Sequence, residues 1–328
     1  MTESDFRERY LLDEPFLKAW GAYVTDYVVS GVRSHFGDER KVATFLKTST
    51  VPRVKSLSSL ISKAFYRGYE WNDPYTEITD KVGSRFVVLL LKDIDVLSNI
   101  VCKGPDWTYE QSRDFEKDKR DNPTIFAYQS VHFIVKANKC LLCSGIMIPR
   151  GTPCEIQIRT LMQHAFSEMS HDSVYKPQIK ASPDLYRLMA RCVALIETTD
   201  EQFKEADVEI SEVEAKFEQQ LSAFEQLYKK TVQLDSRCHM PTCAFIYESM
   251  KAIFTEATPD KVQRFVEERP RLGETIKKHL DAEFLYTQPL ILPLLYAIDA
   301  DSRAVEKSFP YLHSRLEPML VDMGVGST

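Results

Sequence analysis

Apolar positions in the first fifty residues recur at helical spacing: Phe16, Trp20, Tyr23, Val24, Tyr27 and Val28 share one side of a 3.6-residue turn, which predicts helix over 1–50. Pro52 is expected to open a second helix, with Leu57, Leu60, Ile61, Ala64 and Phe65 as its apolar stripe and basic residues off it. From about residue 78 the pattern changes to strands. RFVVLLL (85–91) is a near-continuous apolar run, as in a strand buried on both faces. VHFIV (131–135) and GIMIP (145–149) are shorter candidates, and CEIQIR (154–159) alternates with period two. A helix is predicted near 93–103, and the polar stretch TYEQSRDFEKDKRDNP (108–123) after it reads as a loop or frayed helix.

After residue 160 the strand pattern stops. A helix is expected over 160–174, and Ser182-Pro183-Asp184 is a good helix start. Ile210, Val213, Phe217, Leu221, Phe224 and Tyr228 then lie three and four apart on a long amphipathic helix. Asp235–Pro241 reads as a boundary, and 242–321 as further helices broken by prolines. The expected class is α/β (α+β): N-terminal helices (1–50), a central α/β unit (51–180), long amphipathic helices (181–234) and a helical C-terminal extension (235–328).

Composition changes this picture in three places. Hydrophobic residues are 44% and charged ones 27%, and no apolar run reaches the ~18 residues that span a bilayer, so no membrane partner is expected. The charged N-terminus and seven scattered Cys point to a reducing, cytoplasmic setting. Cys238, His239 and Cys243, and the pair Cys140/Cys143, lack a second pair of ligands for a metal knuckle. The net charge of −6 argues against a protein that coats nucleic acid, but leaves room for a local basic pocket. Finally, none of the 11 glycines lies between Gly151 and Gly273, and no glycine-rich phosphate loop is present. Phosphate chemistry here must use side chains.

Four groups of residues have the composition for that. Lys55, Ser59, Lys63 and Arg67, with Arg53 just before them, recur in steps of four; such a row could hold the phosphates of ATP, or form a solvated basic face. Asp80 and Arg85 flank Gly83 at the start of the first strand, where an acid can hold a metal and a guanidinium can reach a phosphate; a turn with a surface ion pair has the same pattern. Period two puts Tyr128, Ser130 and His132 on one face, either a stacking platform for a base or an aromatic pair with a satisfied histidine. It also aligns Glu155, Gln157 and Arg159 opposite Ile156 and Ile158, with His164, Glu168, His171 and Tyr175 recurring on the following helix and Lys176 closing the run.

In this order, RVKSLSSLISK, DKVGSR, AYQSVH, EIQIRT and HAFSEMSHDSVYK resemble the synthetase domain of the RelA/SpoT family of alarmone synthetases, over about 50–180. The resemblance implies a mixed β-sheet flanked by helices, related to nucleotidyltransferases. It also implies transfer of the β,γ-pyrophosphate of ATP to the 3′-hydroxyl of GDP or GTP, with Mg²⁺ as cofactor. On this resemblance Arg53, Lys55, Ser59, Lys63, Arg67 and Arg85 bind the donor, and Asp80 and Glu155 hold the metal, Glu155 also helping to deprotonate the attacking hydroxyl. Tyr128 stacks on the acceptor base, with His132, Gln157 and Arg159 around it and His171, Tyr175 and Lys176 in support.

The chain departs from the family at Ala127, where glycine is usual, at Asn122-Pro123-Thr124, which lacks the usual lysine, and at Phe166, where tryptophan is frequent. The first two lie on the acceptor side, so the acceptor stays open between a guanine nucleotide, an adenosine nucleotide and the 3′ end of tRNA, the last two in a toxin of a toxin–antitoxin pair. A tRNA would need basic residues outside the cleft, such as Arg7, Arg9, Arg33, Arg40 and Lys41. A catalytically inactive nucleotide-binding module is the reading from another class, against which both acids are retained. The C-terminal helices could pair with a second copy, or hold a regulatory or antitoxin partner.

Overall fold

Thr2 and Asp5 cap one another reciprocally and launch α1 (Glu3–Phe36), which ends on Gly37 in the left-handed conformation. The computed structural model describes residues 1–114, 130–170 and 182–325. They fall into two compact units, 1–206 and 207–328. In the first, α1 and α2 (Glu39–Phe45) are followed by β1 (Arg53–Val54), α3 (Leu57–Ile61), a π-turn over Ser62–Tyr66 and α4 (Pro74–Glu77). Then come β2 (Val82–Val88), α5 (Leu91–Cys102), β3 (Trp107–Arg113), β4 (Val131–Ala137), the hairpin β5 (Leu141–Cys143) and β6 (Ile146–Ile148), β7 (Pro153–Thr160) and α6 (Leu161–Ser170). Helix α7 (Pro183–Val232) starts where Ser182-Pro183-Asp184 predicts, the Ser182 hydroxyl accepting from the Leu185 amide.

Among the described residues the main sheet has five strands in the order β1-β2-β7-β4-β3; β2 and β7 run parallel and the other neighbours antiparallel. One face carries the core. Phe86, Ile156, Ile158 and Phe133 are buried with Trp20, Val24 and Val28 of α1, each such side chain contributing about 1.5–3 kcal/mol on burial. Ser84 on that face meets Thr25 of α1, hydroxyl to hydroxyl, at 2.5 Å. Trp107 anchors the far edge, edge-on to Tyr27 at 4.9 Å and donating from Nε1 to the Val101 carbonyl. The opposite sheet face carries the polar residues of alternating register, and the site is built there.

Three local expectations need correction. Pro52 opens no helix: Arg53 pairs with Gly83 as a strand and the Lys55 amide donates to the Lys81 carbonyl, so the helix starts only after Ser56, whose hydroxyl caps it. Residues 108–113, expected as part of a loop or frayed helix, belong to the edge strand β3. After buried Trp107 its side chains are mostly exposed, so no apolar alternation marked it; the ladder to β4 defines it. The apolar run at 85–91 is split, since the strand ends at Val88 and Leu91 already begins α5.

The second unit is helical. The C-terminal part of α7 packs with α8 (Met240–Ser249), α9 (Lys251–Glu256), α10 (Pro259–Glu267), α11 (Leu272–His279), α12 (Ile291–Ser308) and α13 (Glu317–Asp322) around Phe224, Tyr228, Tyr286 and Leu292. The Tyr228 hydroxyl donates to the Tyr286 carbonyl at 2.9 Å, and the Tyr286 hydroxyl to Asp322 at 2.5 Å. Proline stands in the first turn of α8, α10 and α13, where its missing N–H costs nothing. Of the predicted stripe, Leu221, Phe224 and Tyr228 are buried while Ile210 and Val213 are exposed. No described helix is long and apolar enough to cross a membrane.

Candidate active site

Strand register puts the polar residues of distant segments in rows. Gly83 of β2 lies beside Glu155 of β7, and Arg85 beside Gln157; Gln157 in turn lies beside His132 of β4, and His132 beside Arg113 of β3. Residues opposite one another in a ladder share a face. Arg85, Gln157, His132 and Arg113 thus form one row across four strands, with Glu155 a step along β7.

Asp80 sits in the turn before β2, held from two sides. Its Oδ2 accepts from Lys55 Nζ at 2.5 Å and its Oδ1 from Lys63 Nζ at 2.9 Å. Burial pushes the Asp80 pKa up, but the bonds and charges of the two lysines together outweigh it and hold the carboxyl below its ordinary value. The backbone fixes this geometry: the Tyr10 hydroxyl donates to the Lys55 carbonyl at 2.9 Å. Buried Lys81, next to Asp80, donates to the carbonyls of Tyr75 and Ile78 at 2.6 and 2.5 Å. Burial, then the charge of Arg9, lowers the Lys81 pKa to about 8.

Glu155 is gripped along its own strand face. Its Oε1 meets His132 Nδ1 at 3.1 Å and its Oε2 accepts from Gln157 Nε2 at 2.9 Å. The Ser130 hydroxyl pairs with the other ring nitrogen of His132 at 2.5 Å, and Arg159 donates to Gln157 Oε1. Burial raises the Glu155 pKa, and the charge of Asp80 adds to that; the bond and charge of His132, with the Gln157 bond, together outweigh them and hold the carboxyl below its usual range.

These residues line one cleft of about 1220 Å³. A pocket for a single small ligand is about 300–1,000 Å³, so there is space for two nucleotides. Arg53, Ser59 and Arg67 line it, and the two arginines pair with no acid among the described residues. Arg85 is bound to Glu168 of α6 at 2.6 Å. His164 lies 3.7 Å from the same carboxylate; burial first, then the charges of Arg85 and Arg159, lowers its pKa.

Of the residues singled out from sequence, Arg53, Lys55, Ser59, Arg67, Asp80, Arg85, His132, Glu155, Gln157 and Arg159 meet in this cleft, and Lys63 joins through Asp80. Tyr128, His171, Tyr175 and Lys176 lie outside the described residues. The row in steps of four is not a single helix face: Arg53 is on β1, Lys55 precedes the helix, and Lys63 lies in the π-turn. Sequence reasoning missed Thr48 and Ser49, which carry no pattern, and Arg113, hidden in the unread edge strand. It also missed Tyr186, Met189 and Val193 of α7, whose i, i+3, i+7 spacing would have revealed a common face.

Two carboxylates entering one cleft from the turn before β2 and from β7 are hard oxygen donors of the kind Mg²⁺ takes, with phosphate oxygens and water filling the rest of its octahedron. They are close enough for the charge of Asp80 to act on Glu155. Among the described residues no three His, Cys, Asp or Glu side chains form a ready-made cluster. The donor set fits a metal shared with a ligand.

Residues 52–180 match the family model described as the region found in RelA / SpoT proteins. No curated protein sequence matches the chain. A GTP pyrophosphokinase family protein from Streptococcus pneumoniae is similar in structure at 22% identity, over 63% of this chain and 97% of that one, with a TM-score of 0.51. So is small alarmone synthetase 1 from Bacillus subtilis bound to its product pppGpp, at 20% identity, over 62% and 99%, with a TM-score of 0.50. At such identity the likeness is one of fold. The family match supplies the chemistry, and over residues 52–180 this chain carries the RelA/SpoT region, that of a pyrophosphotransferase.

Proposed function

We propose that the cleft transfers the β,γ-pyrophosphate of ATP to the 3′-hydroxyl of GDP or GTP, making (p)ppGpp and releasing AMP. The observation that carries the reading is the pair of ionised carboxylates, Asp80 between two lysines and Glu155 against His132, in one cleft with room for two nucleotides. Transfer of this kind asks for positioning and neutralisation of charge more than for covalent work by the protein. Arg53, Lys55, Ser59, Lys63, Arg67 and Arg85 surround the triphosphate and offset charge that builds on the leaving AMP oxygen and the moving phosphates. Asp80 and Glu155 would hold Mg²⁺, which supplies electrophilic activation of the donor and a template for the incoming oxygen. Glu155 orients the acceptor hydroxyl and takes its proton as the new bond to Pβ forms, with His132 and Gln157 fixing the carboxylate. Gln157, Arg159 and His132 face the acceptor, with Tyr128 stacked on its base.

The test is transfer of label from γ-labelled ATP with Mg²⁺, offering GDP, GTP, ADP, ATP and deacylated tRNA in turn. Label on a guanine nucleotide is the expected result. Label only on an adenosine nucleotide or on tRNA would move the acceptor to that class. No transfer by folded, ATP-binding protein would overturn the reading. Asp80→Asn should abolish transfer with the fold intact.

A further inference from the structure

We propose that Lys55 and Lys63 close the metal position of this site until a triphosphate draws them away, so that a divalent cation and the donor nucleotide enter as one unit. The proposal rests on reading the cleft as an ATP-using pyrophosphotransferase site.

All four oxygens of the two carboxylates are engaged within the protein. On Asp80, Oδ2 holds Lys55 and Oδ1 holds Lys63; on Glu155, Oε1 holds His132 and Oε2 holds Gln157. The Asp80 contacts are sheltered, with the three side chains only 19–27% exposed. A divalent cation arriving alone meets two ammonium groups that repel it. To reach Asp80 it must displace both, leaving them half-buried and unpaired, an arrangement proteins avoid.

A triphosphate changes the balance. It offers each lysine an anionic oxygen in exchange for a carboxylate oxygen, so the number of opposite-charge contacts is kept while Asp80 is released. Lysine suits this exchange, because its charge sits on a flexible four-carbon stem that swings without moving the backbone. The backbone of Lys55 stays tied to Tyr10 and Lys81 throughout. Arg53 and Arg67 line the same cleft unpaired among the described residues and can take phosphate first without disturbing Asp80. Metal and donor then each raise the other's affinity by the same factor, as linkage requires.

The full chain is titrated with Mn²⁺, free ion being followed by its paramagnetic resonance, with and without α,β-methylene ATP, whose Pα–C–Pβ link resists transfer. The wild type should take up Mn²⁺ at least about tenfold more tightly with the analogue, after allowance for Mn²⁺ bound by the analogue itself. Equal affinity with and without it would overturn the proposal, and this comparison needs no variant. Lys55→Met with Lys63→Met, shown to be folded by circular dichroism, should bind Mn²⁺ without nucleotide at least about tenfold more tightly than the wild type. Adding Asp80→Asn should remove that gain. A doubly substituted, folded protein with wild-type Mn²⁺ affinity would also overturn it. Label transfer on the same preparation separates the two readings: coupled Mn²⁺ uptake without transfer counts against the enzyme, and transfer without coupled uptake counts against the lysine closure.

Discussion

Gly83 and Glu155 face one another across the β2–β7 pair with no room for a side chain on the glycine. A Cβ there would stand 2.8 Å from the Glu155 carbonyl oxygen and 3.4 Å from its Cβ. The glycine of the DKVGSR string is therefore a spacing device for the acid beside it. Gly83→Ala must push β7 or β2 aside, an overpacking cost of about 1–3 kcal/mol. Because Glu155 is the residue displaced, pyrophosphate transfer should fall by far more than the denaturation midpoint implies. Equal, small losses in both would remove this role from Gly83.

Asp200 of α7 is buried, and its Oδ2 accepts from the Thr160 hydroxyl at 2.8 Å. Burial raises its pKa to about 6, the Thr160 bond opposing only in part. Between about 4 and about 6 the folded protein keeps a proton that the unfolded chain has released, so stability falls as pH rises through that window and stays low above it. Asp200→Asn should then stabilise the first unit near neutral pH by up to roughly 3 kcal/mol, with the gain vanishing at about pH 4. Denaturant melts of both proteins across that range measure it. A variant less stable than wild type at neutral pH would show that the charge is compensated.

Arg85 and Glu168 form an ion pair exposed enough to add little to stability. Glu168→Gln should shift unfolding by no more than about 0.5 kcal/mol. If Arg85 contacts phosphate, the substitution also frees it, and KM for the donor should fall. A raised KM would place Glu168 on the side of binding.

Tyr186 stands exposed at the cleft wall on the first turns of α7. Tyr186→Ala should leave the melting temperature within a degree or two's worth of free energy, about 0.5 kcal/mol, because little is buried there. KM for one of the two nucleotides should rise several-fold with kcat nearly constant, and Tyr186→Phe should restore it. An unchanged KM for both would leave the residue as rim.

Much of this site was legible before any coordinates. Period-two alternation at 154–159 separates Glu155, Gln157 and Arg159 from Ile156 and Ile158, and both isoleucines are fully buried. What periodicity cannot carry is pairing between segments. Lys55 and Lys63 reach Asp80 across 25 and 17 residues, and nothing local in the chain marks that meeting. The edge strand β3 escaped for a related reason, since it is made by hydrogen bonds to β4 and not by an apolar face. Arg159 reads as a cleft residue by alternation, yet its side chain is almost wholly buried, a depth that depends on packing the sequence pattern does not encode.

The π-turn at Ser62–Tyr66 carries one more residue per turn than the α-helix it extends. The widened turn takes up that extra residue, whereas a residue added or lost in the regular helix before it turns each later side chain by about 100° about the axis. Such a change between Ser56 and Lys63 would swing Lys63 off Asp80 without any change of residue type. The donor side therefore depends on the length of the segment ahead of Lys63 as well as on its residue types, and the widened turn is the place where one residue of length can be taken up.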